Sequence, residues 1–365
     1  MIALHQKWQE HFDQKLPFVL YRKPNSSTLI SIFQQNDALY FVENFQEKGF
    51  VFAPFDGEKI ILIPANQSQI VVTSLGQATS NEVVLQNDEK EDETAKTRHI
   101  NLVQKAIDAI EKGEFNKVVL SRKETVLLTQ FELFKVFQKL LESYPTAFAY
   151  CFYHPKIGLW LGAFSEQLLF VKQQKFQTMA VAGTQLYEEN TTVVWKEKEI
   201  VEQQMVTDFI QSNLNRMSSE LKISKPYTLR AGNVVHIKTD IEGVLNESIQ
   251  LKNVLSVLHP TPAVCGFPKE VAKEFILKNE GYNRNYYSGF LGEMNCNFET
   301  NEFETNEFET DLYVNLRCMQ IEINSESNTN LAHLYVGGGI TKDSIPEKEW
   351  LETVNKAKTI KNILN

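Results

Sequence analysis

Short apolar runs separated by polar clusters fill residues 17 to 75 of the chain. The clusters are rich in Asn, Ser, Asp and Gly, and the runs are LPFVLYR, TLISIF, ALYFV, FVFAPF and KIILIP. Runs of this length, with β-branched and aromatic residues and turn-forming residues at their ends, are typical of strands. The pattern predicts a β-rich N-terminal segment over residues 1–77.

Polar and acidic residues replace the apolar runs between residues 78 and 97, with NDEKEDETAK near the centre. A charged stretch without apolar periodicity is typical of a solvated segment. We therefore predict an acidic surface loop here, with a charged contact surface as the alternative.

The remaining pattern mixes helices and strands. Apolar residues at Ile100, Val103, Ile107 and Ile110 have the spacing of one helix face, and Gly113 ends the run. Further helices are predicted at FELFKVFQKLLESY, about 192–213, 248–257, 268–279 and from SIPEKEW onwards. Strands are predicted at KVVLSRKETVLL, AFAYCFYH, GLWLGAF, QLLFVKQ, FQTMAVAG, NVVHIKTDIEG, LYVNLRCMQIEI and AHLYVGGGI. Short turns between such strands favour antiparallel pairing, so the predicted fold class is α+β with large antiparallel sheets.

Two local patterns lie in the C-terminal third. Ser344 and Glu347 have the spacing of a capping box, and Pro346 falls in the first turn, where its missing N–H costs little. Residues 298–310, FETNEFETNEFET, repeat a short unit that alternates too little for a strand. We predict a loop expansion between two strands there, rather than a functional element.

Composition and charge limit the classes of function. With 365 residues, of which 42% are hydrophobic, the chain can bury a large core in one domain or in two modest ones. A net charge of -9 argues against an electrostatic grip on nucleic acid or on an anionic membrane. An acidic substrate must therefore be bound by a small number of cationic side chains.

Cysteine usage and the N-terminus indicate the compartment. Cys151, Cys265, Cys296 and Cys318 are widely spaced, so neither a zinc site nor a disulfide framework is indicated. The N-terminus lacks the apolar stretch of a secretory signal, and no window approaches the roughly 18 apolar residues of a membrane helix. We expect a soluble cytoplasmic protein.

Acidic side chains on two predicted helices are candidates for a metal site. Glu199 and Glu202 share one helix face, and Glu349, Glu352 and Lys356 share another. Magnesium takes few protein carboxylates and keeps its other positions for water and substrate oxygens, so it would suit such a cluster. For any one pair alone, a solvated helix face is the ordinary interpretation.

An acid and a base are suggested by two other positions. Lys117 opens an apolar strand, where burial could lower its pKa and make it a base. Glu166 stands beyond a strand end between apolar residues, where desolvation would favour a protonated acid. The alternatives are an edge-strand lysine that guards against aggregation and an ordinary turn residue.

Anion-binding features follow further along the chain. Arg317 interrupts the apolar run VNLRCM and therefore needs an anionic partner, either a structural carboxylate or a substrate. The glycines of YVGGGITKDS offer backbone N–H groups to an oxyanion. Prolines and glycines in LHPTPAVCGFP and NEGYNRNYYSGFLGEM permit close backbone approach to a ligand.

The order of these motifs resembles the chorismate-utilising enzyme family. The matching motifs between residues 98 and 365 are KVVLSR, GAFSEQLL, AVAGT, KEKEIVEQQMVTDFI, LHPTPAV, R-x-x-Y-x-G, VNLR and GGGI followed by S-x-P-x-x-E. The resemblance implies a two-lobed α/β sandwich with large antiparallel sheets outside, helices inside and the active site between the lobes. It also implies one continuous domain over residues 1–365, with 98–365 as the chorismate-binding core.

Roles for single residues are also implied by the resemblance. Lys117 would activate water for addition at C2 of chorismate, and Glu166 would protonate the departing C4 hydroxyl. The magnesium-holding carboxylates would be Glu202 and Glu352, with Glu199 and Glu349 nearby. The substrate would be held by a further set: Gly183, Thr184, His259, Tyr287, Arg317, the backbone of Gly337, Gly338 and Gly339, and Lys356.

The expected activity within the family is isochorismate synthesis. Ammonia-using members carry Gln where Lys117 stands, and aminodeoxychorismate-type members carry a lysine where Ala182 stands. Both amine-forming branches and an amidotransferase subunit are therefore not expected, and the chain is expected to be a monomer. Salicylate synthase, which goes on to eliminate pyruvate, and a catalytically silent paralogue are the alternatives. The pathway served could be that of menaquinone, a siderophore or salicylate.

Three departures from the family pattern stand out. The usual S-P-E reads Phe164-Ser165-Glu166, the usual E-H reads Glu202-Gln203, and no arginine follows AGT. The first is expected to alter the exposure of the acid, and the second to remove an imidazole near the metal.

Overall fold

The computed structural model describes residues 2–76, 92–128, 131–187, 189, 191–231, 234–300, 309–323 and 329–364. Within these ranges the chain forms seven α-helices, one short 3-10 turn and two antiparallel sheets. The helices are α1 (Ile2–Asp13), α2 (Glu93–Glu111), α3 (Leu133–Ser143), α4 (Glu197–Leu214), α5 (Leu251–Leu258), α6 (Lys269–Asn279) and α7 (Pro346–Lys361).

The described strands divide between a nine-stranded and a ten-stranded sheet, here called sheet 1 and sheet 2. Sheet 1 contains β1 (Phe18–Arg22), β2 (Thr28–Gln34), β6 (Ser68–Ser74), β7 (Lys117–Leu128), β8 (Phe148–His154), β9 (Gly158–Phe164), β15 (Gly266–Phe267), β18 (Cys318–Glu322) and β19 (Asn330–Ile340). Sheet 2 contains β3 (Tyr40–Phe41), β4 (Gly49–Ala53), β5 (Ile61–Pro64), β10 (Gln167–Lys172), β11 (Lys175–Leu186), β12 (Ser218–Ile223), β13 (Tyr227–Ala231), β14 (Val234–Leu245), β16 (Phe290–Met294) and β17 (Glu309–Val314).

Strand order mixes the N-terminal segment with the rest of the chain. Sheet 1 runs β15-β7-β19-β18-β9-β8-β1-β2-β6, and sheet 2 runs β12-β14-β11-β10-β17-β16-β4-β5-β3, with β13 on β14. β1 pairs with β8, and β4 pairs with β16. Each sheet is therefore built from both segments, while the single-domain organisation stays a prediction.

Two large antiparallel sheets in an α+β fold were predicted and are confirmed, but the order of the layers is the reverse of the expected one. Aromatic and aliphatic residues of the two sheets pack directly on each other, as Phe52 does on Phe152 and Trp160. No helical residue among the described ones belongs to this cluster. Helices α1, α3 and α7 cover the other face of sheet 1, and α4 and α5 cover sheet 2.

The physical reason lies in the patterns of burial. Strands such as β1 and β4 are buried at every position, so both of their faces need apolar partners. A helix such as α3 has one apolar stripe and one polar face, and it satisfies both only at the surface of the fold. Strands that are buried on both faces therefore lie inside the fold, and helices with a single apolar stripe lie at its surface.

Some predicted element boundaries agree with the structure and others do not. β7 and β9 match the predicted runs at both ends. The acidic loop predicted over 78–97 is shorter than expected, because α2 begins at Glu93, with the Asp92 carboxylate accepting from the backbone N–H of Thr94 and Ala95. Residues 77–91 lie outside the described ranges. The N-terminal helix α1, which buries Leu4 and Trp8, was not predicted.

The start of α7 differs in detail from the predicted capping box. Its N-cap residue is Ile345, without a side-chain cap, and Ser344 Oγ instead accepts from the backbone N–H of Thr341. Pro346 does occupy the first turn, as predicted. A capping box needs the serine at the N-cap itself, and here the helix begins one residue later.

Other predictions concern connections and surfaces. The repeated segment connects β16 and β17, which pair with each other, so its predicted place between two strands is confirmed, although 301–308 lie outside the described residues.

The four cysteines are free and buried. Across the described ranges, no helix combines the length and the apolarity that crossing a membrane requires.

Candidate active site

A cavity of about 190 Å³ lies where β7 and β19 of sheet 1 face β11 and β14 of sheet 2, with α4 and α7 at its border. Most of the predicted site residues meet there. Those lining the cavity are Glu166, Gly183, Thr184, Glu199, Glu202, Tyr287, Arg317, Gly337, Gly338, Gly339, Glu352 and Lys356. Residues that are far apart in the sequence thus converge on one space.

Lys117 lies at the first position of β7 with a fully buried side chain. Its Nζ is 2.8 Å from Glu202 Oε1 of α4. Gly339 makes room for this pair, because a Cβ at residue 339 would stand 2.5 Å from Glu202 Oε1 and 3.2 Å from Lys117 Cε. Burial works to raise the pKa of Glu202, but Lys117, Lys198 and Lys356 together outweigh it and hold that pKa below its ordinary value.

Glu166 stands between β9 and β10 and is the predicted acid. Desolvation raises the pKa of its carboxyl group to about 7, against a smaller opposing effect of the Lys117 charge. This is the direction of shift that the sequence predicted. Because the Lys117 charge acts on this pKa, the two groups are within electrostatic reach of each other.

Phe164 and Ser165, the first departure from the family pattern, flank this acid. Phe164 is buried and packs against Phe148 in the core between the sheets. Ser165 lines the cavity next to Glu166. The phenylalanine thus belongs to the apolar surroundings that desolvate the acid.

Arg317 lies in the three-residue link between β17 of sheet 2 and β18 of sheet 1, not in the middle of a strand as predicted. Its backbone φ of 45° is in the left-handed region, which is costly for a residue with a side chain. Among the described residues no carboxylate pairs with its guanidinium, and burial lowers its pKa. A charge held in this way needs an anion from outside the chain.

His236 on β14 is a cavity residue that was not predicted from the sequence. Its Nδ1 donates to the Gly183 carbonyl oxygen at 3.0 Å, so its Nε2 can accept from Arg317 Nη2 at 3.4 Å. Burial and the Arg317 charge lower the pKa of His236 to about 4. A neutral imidazole therefore orients the guanidinium without cancelling its charge. The sequence signal that could have found it is a histidine within the apolar run NVVHI.

Tyr287 and Lys356 stand on either side of the glycine run in β19. The buried Tyr287 hydroxyl would be 2.8 Å from a Cβ at Gly337. Lys356 Nζ donates to the Gly337 carbonyl oxygen at 2.8 Å and lies 2.6 Å from Glu352 Oε1. The absence of side chains at this part of β19 brings a hydroxyl and an ammonium up to its backbone.

Three glutamates converge on the same glycines. A Cβ at Gly338 would lie 3.6 Å from Glu349 Oε2 and 3.7 Å from Glu352 Oε1, and Glu202 approaches Gly339. Carboxylate oxygens are the ligands that magnesium prefers, so the donor type and the convergence fit that ion. Each carboxylate now faces a lysine, and no group of three in the described part of the chain stands in metal-binding geometry. A magnesium ion would therefore replace lysine contacts.

Glu199 and Lys198 complete this border of the cavity. Glu199 Oε2 accepts from the backbone N–H of Lys196 at 3.0 Å and so caps α4. Lys198 Nζ, which was not predicted to take part, lies 2.9 Å from Glu349 Oε1. Burial works to lower the pKa of Lys198, but Glu349 and the neighbouring carboxylates raise it overall.

Two expectations about single residues differ from the structure. His259 is not brought to the cavity: its Nε2 lies 3.3 Å from the Pro54 carbonyl oxygen, and its ring packs on Phe290. Gln203 does not face the acidic cluster, since its amide donates to Thr207 and Thr239 beneath α4. The second departure from the family pattern therefore changes the packing of α4 on sheet 2, not the surroundings of the carboxylates.

Comparisons with known proteins agree on one family. A family model described as "Chorismate binding enzyme" matches residues 58–365. Anthranilate synthase component 1 of Methanothermobacter marburgensis is 28% identical over 279 residues, which cover 73% of this chain and 56% of that protein. Isochorismate synthase EntC of Escherichia coli strain K12 is 28% identical over 262 residues, 68% of this chain and 62% of that protein. The matched region thus spans less than two thirds of these relatives.

A solved structure from Bacillus anthracis shows the same fold. It is described as a 2,3-dihydroxybenzoate-specific isochorismate synthase, DhbC, and superposes with a TM-score of 0.76 at 21% identity. The superposition covers 96% of each chain. The likeness extends over the N-terminal segment as well as the region with the motifs.

Proposed function

The chain belongs to the chorismate-binding enzyme family, and we propose that within it the chain is an isochorismate synthase. One observation carries the proposal. A desolvated acid, Glu166, and the Arg317 guanidinium, which has no carboxylate partner in the described residues, line one cavity, and the buried Lys117 lies beside it, 2.8 Å from Glu202 Oε1 of the same lining. This arrangement suits exchange of one hydroxyl for another on an anionic substrate.

Binding of the substrate would use the uncompensated charges. Chorismate carries two carboxylates, and Arg317 with the Tyr287 hydroxyl would hold the enolpyruvyl one. Lys356 stands at the glutamate border of the cavity, where the ring carboxylate would lie. Since His236 orients Arg317 while staying neutral, the full guanidinium charge is available to the substrate.

The chemical step would use Glu166 as acid and Lys117 as base. With its pKa raised to about 7, Glu166 holds a proton in a large fraction of molecules at neutral pH and can give it to the departing C4 hydroxyl. Lys117 accepts a proton from the attacking water in its amine form.

We also propose that magnesium binds at the border formed by α4 and α7. Glu202 and Glu352 would hold it, with Glu199 and Glu349 nearby. When bound, the ion would neutralise the ring carboxylate of chorismate, which these glutamates would otherwise repel. The glutamates themselves keep that end of the cavity selective for a metal-bound carboxylate.

Water rather than ammonia is the proposed nucleophile. The support is Lys117 in the place where ammonia-using relatives carry Gln, and Ala182, with its small side chain, on the cavity wall. No amidotransferase partner is proposed for this reason. A monomeric state and a cytoplasmic location stay predictions.

Product identification tests the proposal. The purified full chain would be incubated with chorismate and MgCl₂, with and without ammonium chloride, and the products separated by chromatography. Isochorismate under both conditions is the expected result. Salicylate with pyruvate would favour the alternative reaction, anthranilate in the ammonium arm would place the chain among the amine-forming enzymes, and no turnover would overturn the proposal.

A further inference from the structure

Lys198 has no part in the reaction proposed above, although it stands among the carboxylates that would hold the metal. Its Nζ lies 2.9 Å from Glu349 Oε1 and 3.3 Å from Ser344 Oγ. Its side chain is 29% exposed, whereas that of Glu349 is 5% exposed. The lysine thus reaches in from solvent to a carboxylate that is otherwise enclosed.

The position of Lys198 on its helix is unfavourable for a cation. It is the second residue of α4, where the N-terminal end of the helix dipole favours anions, and both of its neighbours there are glutamates. Its charge is stabilised from outside the helix, by Glu349 of α7. Because the charge of Lys198 does not stabilise α4, its side chain can move away from Glu349 without destabilising that helix.

Charge is balanced within the border of the cavity, with one lysine for each converging glutamate. The three lysines differ in how easily they could move. Lys117 is fully buried beside Glu202, and Lys356 is anchored on the Gly337 carbonyl oxygen as well as on Glu352. Lys198 and Lys356 are similarly exposed, 29% and 27%, but the second contact of Lys198, to Ser344 Oγ at 3.3 Å, is longer than that of Lys356 to the Gly337 carbonyl oxygen at 2.8 Å. Lys198 is therefore the more weakly anchored of the two exposed lysines.

We propose that Lys198 is a place-holding cation, which neutralises Glu349 while no divalent cation is bound and leaves the carboxylates when one binds. This inference rests on the proposed function, because it takes the metal to bind between α4 and α7. Lys198 then competes with the metal, and substrate-free protein binds magnesium more weakly than its glutamates alone would. Chorismate adds negative charge to the site and so favours the metal over the lysine, which couples the two binding events.

Metal titration tests the inference without turnover. MgCl₂ would be titrated by calorimetry into substrate-free full chain as wild type, Lys198→Met and a control, Lys135→Met. Lys135 loses the same charge from an exposed surface pair with Glu132, 2.7 Å away. Lys198→Met is expected to bind magnesium about fivefold tighter or more than wild type, and the control to match wild type.

The results separate this inference from the proposed function. Unchanged or weaker magnesium binding by Lys198→Met overturns the place-holding role, as does absence of magnesium binding in every variant. If Lys198→Met does not fold, Lys198→Gln carries the same test, with the rise of melting temperature on adding MgCl₂ as a second readout. The reaction product, measured separately on wild type, decides the proposed function whatever these affinities are.

Discussion

Two groups of buried charges connect the sheets of this protein, and they differ in whether their charges find partners within the chain. The closed cluster consists of Tyr21, Lys23, Glu293, Asp311 and Gln167. Lys23 Nζ lies 2.6 Å from Glu293 Oε2 and 3.7 Å from Asp311 Oδ2. Tyr21 donates to Glu293, and Gln167 donates to Asp311 at 2.7 Å.

The open cluster consists of Lys117, Glu202, Glu166 and Arg317 around the cavity. Lys117 and Glu202 pair with each other. Glu166 and Arg317 face the cavity without an ion-pair partner among the described residues. The same residue types therefore serve two purposes: complete pairing joins the sheets, and incomplete pairing leaves charge for a ligand.

Replacing the lysine of each cluster should give opposite results, and this is the largest expected effect. Lys117→Met removes the base, so turnover of chorismate should fall by roughly 10²- to 10⁴-fold while the circular dichroism spectrum is kept. Lys23→Met is the matched control and should keep turnover per folded molecule. Wild-type turnover by Lys117→Met would show that the base is elsewhere.

The free energy of unfolding tests the closed cluster directly. Lys23→Met leaves Glu293 and Asp311 buried without their cation, which should cost about 3 to 5 kcal/mol of unfolding free energy in urea titrations. A loss of less than about 1 kcal/mol would mean that the closed cluster does not join the sheets.

The arginines extend the comparison to affinity. Arg317→Met should weaken chorismate binding by roughly 30-fold or more, because it removes the guanidinium that the chain leaves without a carboxylate. Arg22 is a matched control, since its guanidinium donates to the carbonyl oxygens of Leu141 and Tyr144. Arg22→Met should lower the melting temperature and leave the dissociation constant unchanged. An equal loss of affinity in both variants would remove the distinction.

A smaller effect on stability concerns pH and Glu166. Because the folded-state pKa is raised from its ordinary value to about 7, the protonated acid stabilises the fold fully below about pH 4.5, and this is lost as pH rises through 7. Glu166→Gln escapes that loss, so its stability relative to wild type should grow by about 2 to 3 kcal/mol between pH 5 and pH 8 in urea titrations. Over the same range kcat/KM of wild type should fall above pH 7. A constant stability difference would contradict the raised pKa.

The sequence predicted the site better than the layers of the fold. Glu166, Glu202 and Glu352 were predicted because their motifs keep an order along the chain, and the structure places them around one cavity, with Lys117 paired to Glu202. Strands apolar at every position already indicate burial on both faces, but the expected layer order did not use that information. The helices were therefore placed on the wrong side of the sheets.

The partners of His236 and Lys198 could not be predicted, because each contact joins distant segments, although a histidine within an apolar run could have drawn attention to His236 itself. The imidazole of His236 matters through Arg317, which is 81 residues away in sequence. Lys198 matters through Glu349, at a separation of 151 residues. The end of β17 and the start of β18 near Arg317 could not be predicted, because the run LYVNLRCMQIEI is apolar on both sides of the point where the chain passes from one sheet to the other.

The two connections of strand β17 should differ in how well they tolerate insertions and deletions. Residues 295–308 lead into β17 and include most of the repeated unit. They enter the strand at Glu309, which pairs with Lys172 of β10, at the end of β10 that is remote from Glu166. Residues 315–317 lead out of β17 and hold Arg317 against His236. During evolution, insertions and deletions should accumulate in the first connection, since they displace no cavity residue. A single insertion in the second would change which chemical groups the two sheets present to each other.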